Sequence, residues 1–158
     1  MMRKFLPRKS HGFTLIELLV VIGILAVLLA ITLVAINPAR QFSQANNTKR
    51  SSDVNALLNA IHQYAADNKG TLPAGIPATT PAVIGSGVGE VNICTALVTT
   101  YLAALPVDPL TNNGTPVSDC AAVGGYNTNY TVVQSTSDNR ITVAAPAAEL
   151  SAVITVTR

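Results

Sequence analysis

A single acidic residue near the start of a long apolar run constrains this chain more than any other feature. The 22 residues from Leu15 to Ile36 carry no charge except that of Glu17, and a short leader with four basic residues precedes them. At the centre of a bilayer an acidic side chain costs roughly 2.5 to 3.5 kcal/mol on insertion scales, and less near the interface. The position of Glu17 therefore indicates a partner for its carboxylate.

The composition shows that the apolar excess lies near the N-terminus. A chain of 158 residues has room for one domain and a membrane segment, and 49% of its residues are hydrophobic. The net charge of +2 depends on the leader, because removing its four basic residues leaves six basic against eight acidic side chains. No basic patch is left to indicate a nucleic-acid partner.

The apolar run is long enough to cross a membrane. A helix over residues 13–36 would be about 36 Å long, against about 30 Å for the hydrocarbon core of a bilayer. The basic leader predicts a cytoplasmic N-terminus, with the rest of the chain outside. A cleaved secretory signal is the alternative, but the run is longer than the roughly 7 to 15 residues of a signal core. In addition, Leu33 stands where a cut after Ala35 requires a small residue.

The stretch from Gly12 to Ala26, GFTLIELLVVIGILA, closely resembles the class III signal of type IV pilins and type II secretion pseudopilins. In that family a membrane peptidase cuts after the glycine and methylates the new N-terminal residue. The resemblance implies a leader of residues 1–12, cleavage between Gly12 and Phe13, and N-methylation of Phe13. It also implies that Glu17 pairs with the N-terminal amine of a neighbouring subunit, while the apolar helices bundle into a filament core.

The chemistry of these residues supports that mechanism independently of the family name. Cutting before Phe13 creates a positive amine at the head of the helix, and Glu17 four residues later shares its helix face at about 6 Å between Cβ atoms. A pair within one chain is therefore geometrically possible, and a neighbour offset along the filament axis offers better compensation inside a bundle. The alternative is a single-pass anchor in which Glu17 extends to the lipid headgroups.

Residues 37–70 are predicted to form the amphipathic second half of the long helix. Asn37 and Pro38 interrupt or restart the helix, and residues 68–70 provide its end. His62 has polar neighbours, which predicts a place on the helix surface rather than a role as a ligand. Apolar residues recur at intervals of three and four, namely Val54, Leu57, Leu58, Ile61, Tyr64 and Ala65.

Residues 71–158 are predicted to form a small globular head. Prolines and glycines indicate an irregular connection over residues 71–90. The elements predicted beyond it are a short helix over 93–105 and strands over 126–136, 140–145 and 152–157. The predicted fold class is therefore α+β, with a long N-terminal helix and a small antiparallel β-sheet packed on its C-terminal half.

The stretch from Tyr101 to Pro109 resembles the segment that precedes the sheet in the major pseudopilin of type II secretion. Some relatives bind calcium near this segment through carboxylate and backbone oxygens. Suitable oxygens here belong to Asp108, Asn112, Asn113 and Asp119. Their spacing matches no defined loop, and turn-forming roles explain them as well. No cofactor is therefore predicted, and calcium in the head stays an alternative.

Two cysteines, Cys94 and Cys120, lie on the predicted outer side of the membrane, where oxidation is permitted. A disulfide between them would close a loop that contributes roughly 3.5 kcal/mol in the chain-entropy model. Free thiols or a fragment of a metal site are the alternatives, although two cysteines so far apart do not form a zinc site. We expect a disulfide.

No catalytic residue is predicted, because the chain has no Gly-x-Ser-x-Gly motif, no phosphate loop and no paired acids on one element. The function predicted is that of a structural filament subunit, and the segment before the sheet favours a pseudopilin that serves protein secretion. The alternatives are the pilin of a type IV pilus or DNA-uptake filament and, from another class, a membrane-anchored binding protein that never polymerises.

The resemblance implies several partners and two locations. The partners are other copies of the chain, a prepilin peptidase that is also the methyltransferase, an inner-membrane assembly platform and, before assembly, the lipid bilayer. The chain is expected to cross the cytoplasmic membrane once, with its leader in the cytoplasm and its head outside. After assembly it is expected in a periplasmic or cell-surface filament.

Overall fold

The computed structural model describes residues 12–158, so all of the predicted leader except Gly12 lies outside the described residues. The chain divides into two units, Met1–Gln41 and Phe42–Arg158. The elements, in chain order, are α1 (Leu15–Ile36), α2 (Pro38–Asp67), β1 (Ala82–Gly85), α3 (Cys94–Leu97), a 3-10 turn (Asn112–Gly114), β2 (Asn127–Gln134), β3 (Ile141–Ala144) and β4 (Thr155–Thr157). The α+β fold class predicted from the sequence is confirmed.

The first helix, α1, is apolar except for Glu17 and Thr32 and has no buried residue. Its 22 residues correspond to about 33 Å, so by length and composition it can cross a membrane. Thr14 caps its start, and α1 therefore begins two residues later than the predicted position 13. Its end lies at Asn37, which adopts a left-handed conformation with φ of 47°, and Pro38 then begins α2, where its missing N–H costs no hydrogen bond.

The second helix, α2, buries one face in the head. Its apolar stripe follows the predicted spacing, and the buried residues are Arg50, Val54, Leu57, Leu58, Ala60 and Ile61. Gly70 closes the helix in a left-handed conformation and donates its N–H to the carbonyl of Ala65 at 2.7 Å. His62 departs from its predicted surface position, because it is half-buried and its Nε2 has no hydrogen-bond partner among the described residues.

The head contains a four-stranded antiparallel sheet in the order β1-β2-β3-β4. Side chains along β2 alternate between buried and partly exposed, as expected for a strand with one face in the core. Tyr130 and Val132 of β2 share one hydrophobic core with Leu57 and Ile61 of α2. The sheet therefore packs on the second half of the helix pair, which bears out the predicted arrangement.

Two local predictions in the head were wrong. The helix predicted over 93–105 is reduced to the four residues of α3, because Thr99 takes a left-handed conformation with φ of 75°. Isolated β-bridges, Val98 with Leu102 and Leu105 with Val117, replace the further turns. Strand β1 lies inside the stretch assigned as irregular. Its four residues become a strand only by pairing with β2, a contact that joins distant parts of the sequence.

The disulfide expected from the sequence is present. Cys94 at the start of α3 is bonded to Cys120, with their Cα atoms 5.5 Å apart, and Cys94 is fully buried. This bond ties the short helix to a turn-rich segment that no strand of the sheet includes. It therefore restrains the part of the head with the least regular structure.

Replacing both Cys94 and Cys120 by serine should lower the free energy of unfolding of the head by about 3 kcal/mol, because the unfolded chain regains the freedom of an open loop. Calorimetry of the detergent-solubilised full chain, with and without reductant, measures this. Reductant should lower the Tm of the wild type and leave the double variant unchanged. A wild-type Tm that does not respond to complete reduction would contradict the role assigned to the bond.

Candidate functional site

Thr14 and Glu17 form a reciprocal capping box at the start of α1. The Glu17 backbone N–H donates to Thr14 Oγ1 at 3.2 Å, and Glu17 Oε2 accepts from both Thr14 N and Thr14 Oγ1 at 2.8 Å. These bonds satisfy backbone donors that the first helical turn would otherwise leave unpaired. One oxygen of the acid is therefore committed to its own helix, whereas Oε1 has no partner among the described residues.

Phe13 and Gly12 precede the helix in an exposed, non-helical stretch. In the uncut chain α1 begins at Leu15, so Phe13 lies before the helix. The helix face that Phe13 and Glu17 are predicted to share after cleavage stays a prediction. An exposed peptide bond outside a helix suits a protease, which needs access to the backbone on both sides of the cut. No described atom lies within 4 Å of the position that a side chain at residue 12 would occupy, so packing within this chain does not require glycine there.

A family model described as the prokaryotic N-terminal methylation motif matches residues 7–33. The chain carries a prepilin-type signal. This signal includes the Gly12–Phe13 bond, the capping pair of Thr14 and Glu17, and most of α1. It confirms the class III signal identified from the sequence, and it does not distinguish pseudopilins from pilins. Searches of curated proteins and of solved structures gave no match.

A second cluster of functional groups lies inside the head, around Arg50 of α2. The Arg50 and Asp108 side chains are both fully buried. Arg50 Nε donates to Asp108 Oδ2 at 2.6 Å and Arg50 Nη2 donates to Oδ1 at 3.2 Å, which forms a two-pronged pair. The planar guanidinium suits this arrangement, because its donors match the spacing of the carboxylate oxygens.

Glu149, in the loop between β3 and β4, is the second acid on Arg50. Arg50 Nη1 donates to Glu149 Oε2 at 2.8 Å, Asn46 Nδ2 donates to the same oxygen at 2.9 Å, and Ser43 Oγ donates to Oε1 at 2.8 Å. Asn47 pairs with the Glu149 backbone in both directions, at 2.8 and 2.9 Å. Because these four residues lie three and four positions apart, one face of α2 holds this loop. We call this set of contacts the Glu149 clamp.

Sequence reasoning missed this cluster. Arg50 stands in a polar part of α2, but it lies four residues before Val54 and so continues the buried stripe of the helix. A charged residue on the apolar side of a helix was the available signal, since a buried cation requires an acidic partner. No comparable signal pointed to Glu149, because its partner is 99 residues away.

The four residues considered for calcium each take part in an ion pair or a turn. Both oxygens of Asp108 are engaged, with Arg50 and with the backbone N–H of Leu110 at 2.9 Å. Asn112 and Asn113 adopt left-handed conformations in a 3-10 turn, and Asp119 accepts from the N–H of Ala121 at 2.9 Å. Among the described residues no group of three acidic, histidine or cysteine side chains has a metal-binding arrangement.

The electrostatics of the cluster follow from its geometry. The bond to Asp108 raises the pKa of Arg50, and the bond from Arg50, followed by those from Asn46 and Ser43, lowers the pKa of Glu149. One turn further along α2, burial raises the pKa of Asp53, although the Tyr130 hydroxyl donates to its carboxylate at 2.7 Å. The cluster therefore favours a charged Glu149 and a protonated Arg50.

Truncating Asp108 should destabilise the head strongly. In Asp108→Ala the Arg50 guanidinium stays buried without its two-pronged partner, which costs about 3 to 5 kcal/mol. The matched control, Arg50→Met with Asp108→Leu and Glu149→Gln, removes all three charges of the cluster and should recover most of the lost stability. Urea unfolding of the full chain in detergent measures both variants. Equal losses in the two would show that the charge left behind is not the cause.

Glu149→Gln should change how stability depends on pH. Because the folded pKa of Glu149 is lowered, the carboxylate stabilises the head above its unfolded pKa of about 4.3. That contribution is lost as the pH falls through the lower folded pKa. The wild type should therefore exceed the Gln variant in stability at neutral pH, and the difference should disappear in acid. Thermal unfolding at a series of pH values tests this, and a constant difference would contradict it.

Proposed function

We propose that this chain is a structural subunit of a type IV-type filament, cut before Phe13, methylated there and polymerised through α1. The observation that carries the proposal is the prepilin-type signal over residues 7–33, which runs into a 22-residue apolar helix with no buried residue. Such a helix needs lipid before assembly and protein afterwards. No catalytic activity belongs to this proposal.

Cleavage supplies a cation for Glu17, whose carboxylate contacts only Thr14 among the residues that the structure describes. Cutting the Gly12–Phe13 bond converts an amide nitrogen into a positive amine, two residues before the capped start of α1. Oε2 of Glu17 stays with Thr14, and the unpartnered Oε1 is available to a cation. In a bundle of apolar helices such a buried pair is favourable only when both charges are present. Processing and assembly are therefore coupled through one carboxylate.

The specific proposal is a pseudopilus of type II secretion, and it rests on the resemblance of residues Tyr101 to Pro109. In this structure that segment supplies Asp108 to the buried Arg50, so its Asp residue has a structural role in the head. The proposed partners are further copies of the chain, a prepilin peptidase and an inner-membrane assembly platform. The proposed location is the cytoplasmic membrane, with the leader in the cytoplasm, and then a filament outside it.

Intact-mass spectrometry of the protein extracted from its native membrane tests the processing step. The expected mass is that of a chain that begins at Phe13 and carries one additional methyl group. A Gly12→Leu variant serves as a control. It should fold as the wild type does, because nothing in the described fold requires glycine at that position. It should retain its leader, because the peptidase of the family cuts after a glycine. An unprocessed wild-type chain in a strain with an active prepilin peptidase would contradict the proposal.

Glu17→Val tests the assembly step separately. The variant should insert in the membrane at least as well as the wild type, because it removes a charge from the apolar helix. It should still be cut, and its filaments should fall by about tenfold or more, because the amine of each new subunit then lacks its partner. Asp138→Val, in the exposed turn between β2 and β3, is the matched control. Filament yield by shearing and electron microscopy measures both, and normal yield from Glu17→Val would remove Glu17 from the mechanism.

A further inference from the structure

The head contains a groove beside the start of β2, where two loops face the first residues of the strand. Its cavity measures about 460 Å³, a size typical of small-molecule sites. A second cavity of about 480 Å³ adjoins it, because Gly125, Tyr126 and Asn127 line both. We call the first cavity the Tyr126 groove. Its polar and aromatic lining residues are Thr111, Asn112, Ser118, Asp119, Tyr126 and Asn127.

A hydrogen bond and the disulfide hold both walls of the groove against one short segment of the head. The Tyr126 hydroxyl donates to Asn92 Oδ1 at 2.9 Å, which fixes the position of the ring. Cys94, two residues after Asn92 and fully buried, is bonded to Cys120, the neighbour of Asp119. The groove is therefore formed before a ligand arrives, and this lowers the entropy cost of binding.

Four polar side chains line the groove with hydrogen-bonding groups still free. The hydroxyls of Thr111 and Ser118 and the side-chain amide of Asn112 make no hydrogen bond within the part of the chain that the structure describes. Asp119 accepts from the N–H of Ala121 at 2.9 Å through Oδ1, whereas its Oδ2 has no partner among the same residues. Donors and acceptors that converge on one cavity beside a fixed aromatic ring suit a polar ligand with an apolar face.

The charge of the groove limits the chemistry of its ligand. Asp119 is the one charged residue among the described residues that line it, and Glu90 is the one in the adjoining cavity. Both are acids, so phosphate or a nucleic-acid backbone would be repelled. An apolar ligand would exclude water and leave the four polar side chains unpaired, which is costly. The groove therefore favours a neutral ligand that is rich in hydroxyl groups.

We propose that the Tyr126 groove binds a neutral saccharide. The Tyr126 ring stacks on the C–H face of a sugar ring, and the facing polar side chains bind the sugar hydroxyls. Asp119 Oδ2 accepts the strongest of these bonds, because it is charged. Chains of neutral hexoses and chains of N-acetylated amino sugars share this chemistry. The site goes beyond the proposed filament function, since it makes no use of α1.

Saturation-transfer NMR of the full chain tests this binding, in a detergent without a sugar headgroup. The probes are cellobiose for neutral hexoses and N,N′-diacetylchitobiose for amino sugars, and a tetralysine peptide represents a basic ligand. Irradiation of the aromatic protons should transfer saturation to the ring protons of at least one of the two sugars, and the sugar that responds identifies the source. No transfer to either sugar, or transfer to the peptide alone, would overturn the proposal.

Asp119→Asn and Asp138→Asn form a matched pair of variants that locates the site. In both wild-type residues Oδ1 accepts from a backbone N–H two positions further on, at 2.9 and 3.2 Å, and asparagine keeps that acceptor. Asp119→Asn should keep the Tm of the head and raise the Kd of the sugar about tenfold, because a charge-assisted hydrogen bond is lost. Asp138→Asn, outside the groove, should bind as the wild type does. Equal affinity in the two variants would overturn the assignment of the groove, whether or not the chain polymerises.

Discussion

The main physical constraint on this protein is the exposed apolar surface of α1, none of whose residues is buried by the described part of the chain. A 22-residue helix whose side chains are almost all apolar needs lipid or protein around it, because exposing that surface to water is unfavourable. The capping box of Thr14 and Glu17 shows how the chain tolerates an acid at the edge of that surface, because the carboxylate completes the first turn of the helix. The remaining oxygen of Glu17 and the bare helix surface together make the subunit incomplete by itself.

The head is organised around a second charged group, Arg50, whose acidic partners belong to the same chain. Arg50 is fully buried, and the chain satisfies it internally with Asp108 and Glu149, which come from two distant loops. Replacing such a cluster by apolar residues is often neutral for stability, so its value lies in what it positions. Here it holds the loop after β3 against α2, beside the exposed Leu150 and Val153. Arg50 is paired within the chain, whereas for Glu17 we propose a partner in a second copy.

Local signals were sufficient for the first part of the chain and for strands β2, β3 and β4, and insufficient for the rest of the head. Residues close together in the sequence determine the prepilin-type signal, the break at Asn37 and the apolar stripe of α2, so the sequence predicts all three. Strand β1 and the place of Glu149 depend on partners far along the chain, and no local pattern marks them. The start of α1 differed for a physical reason, because Thr14 forms a reciprocal capping box with Glu17 and so begins the helix at Leu15. Asp108 resembled a metal ligand until the buried Arg50 accounted for both of its oxygens.

We propose that other copies of the chain cover α1 and supply the amine that pairs with Glu17. A cryo-electron-microscopy structure of the filament purified from native membranes measures this directly. The account predicts α1 helices bundled along the axis, with the amine of Phe13 of each subunit within hydrogen-bonding distance of Glu17 in a neighbour. A filament held together by the heads alone, with α1 surrounded by detergent or lipid and Glu17 far from any amine, would contradict it.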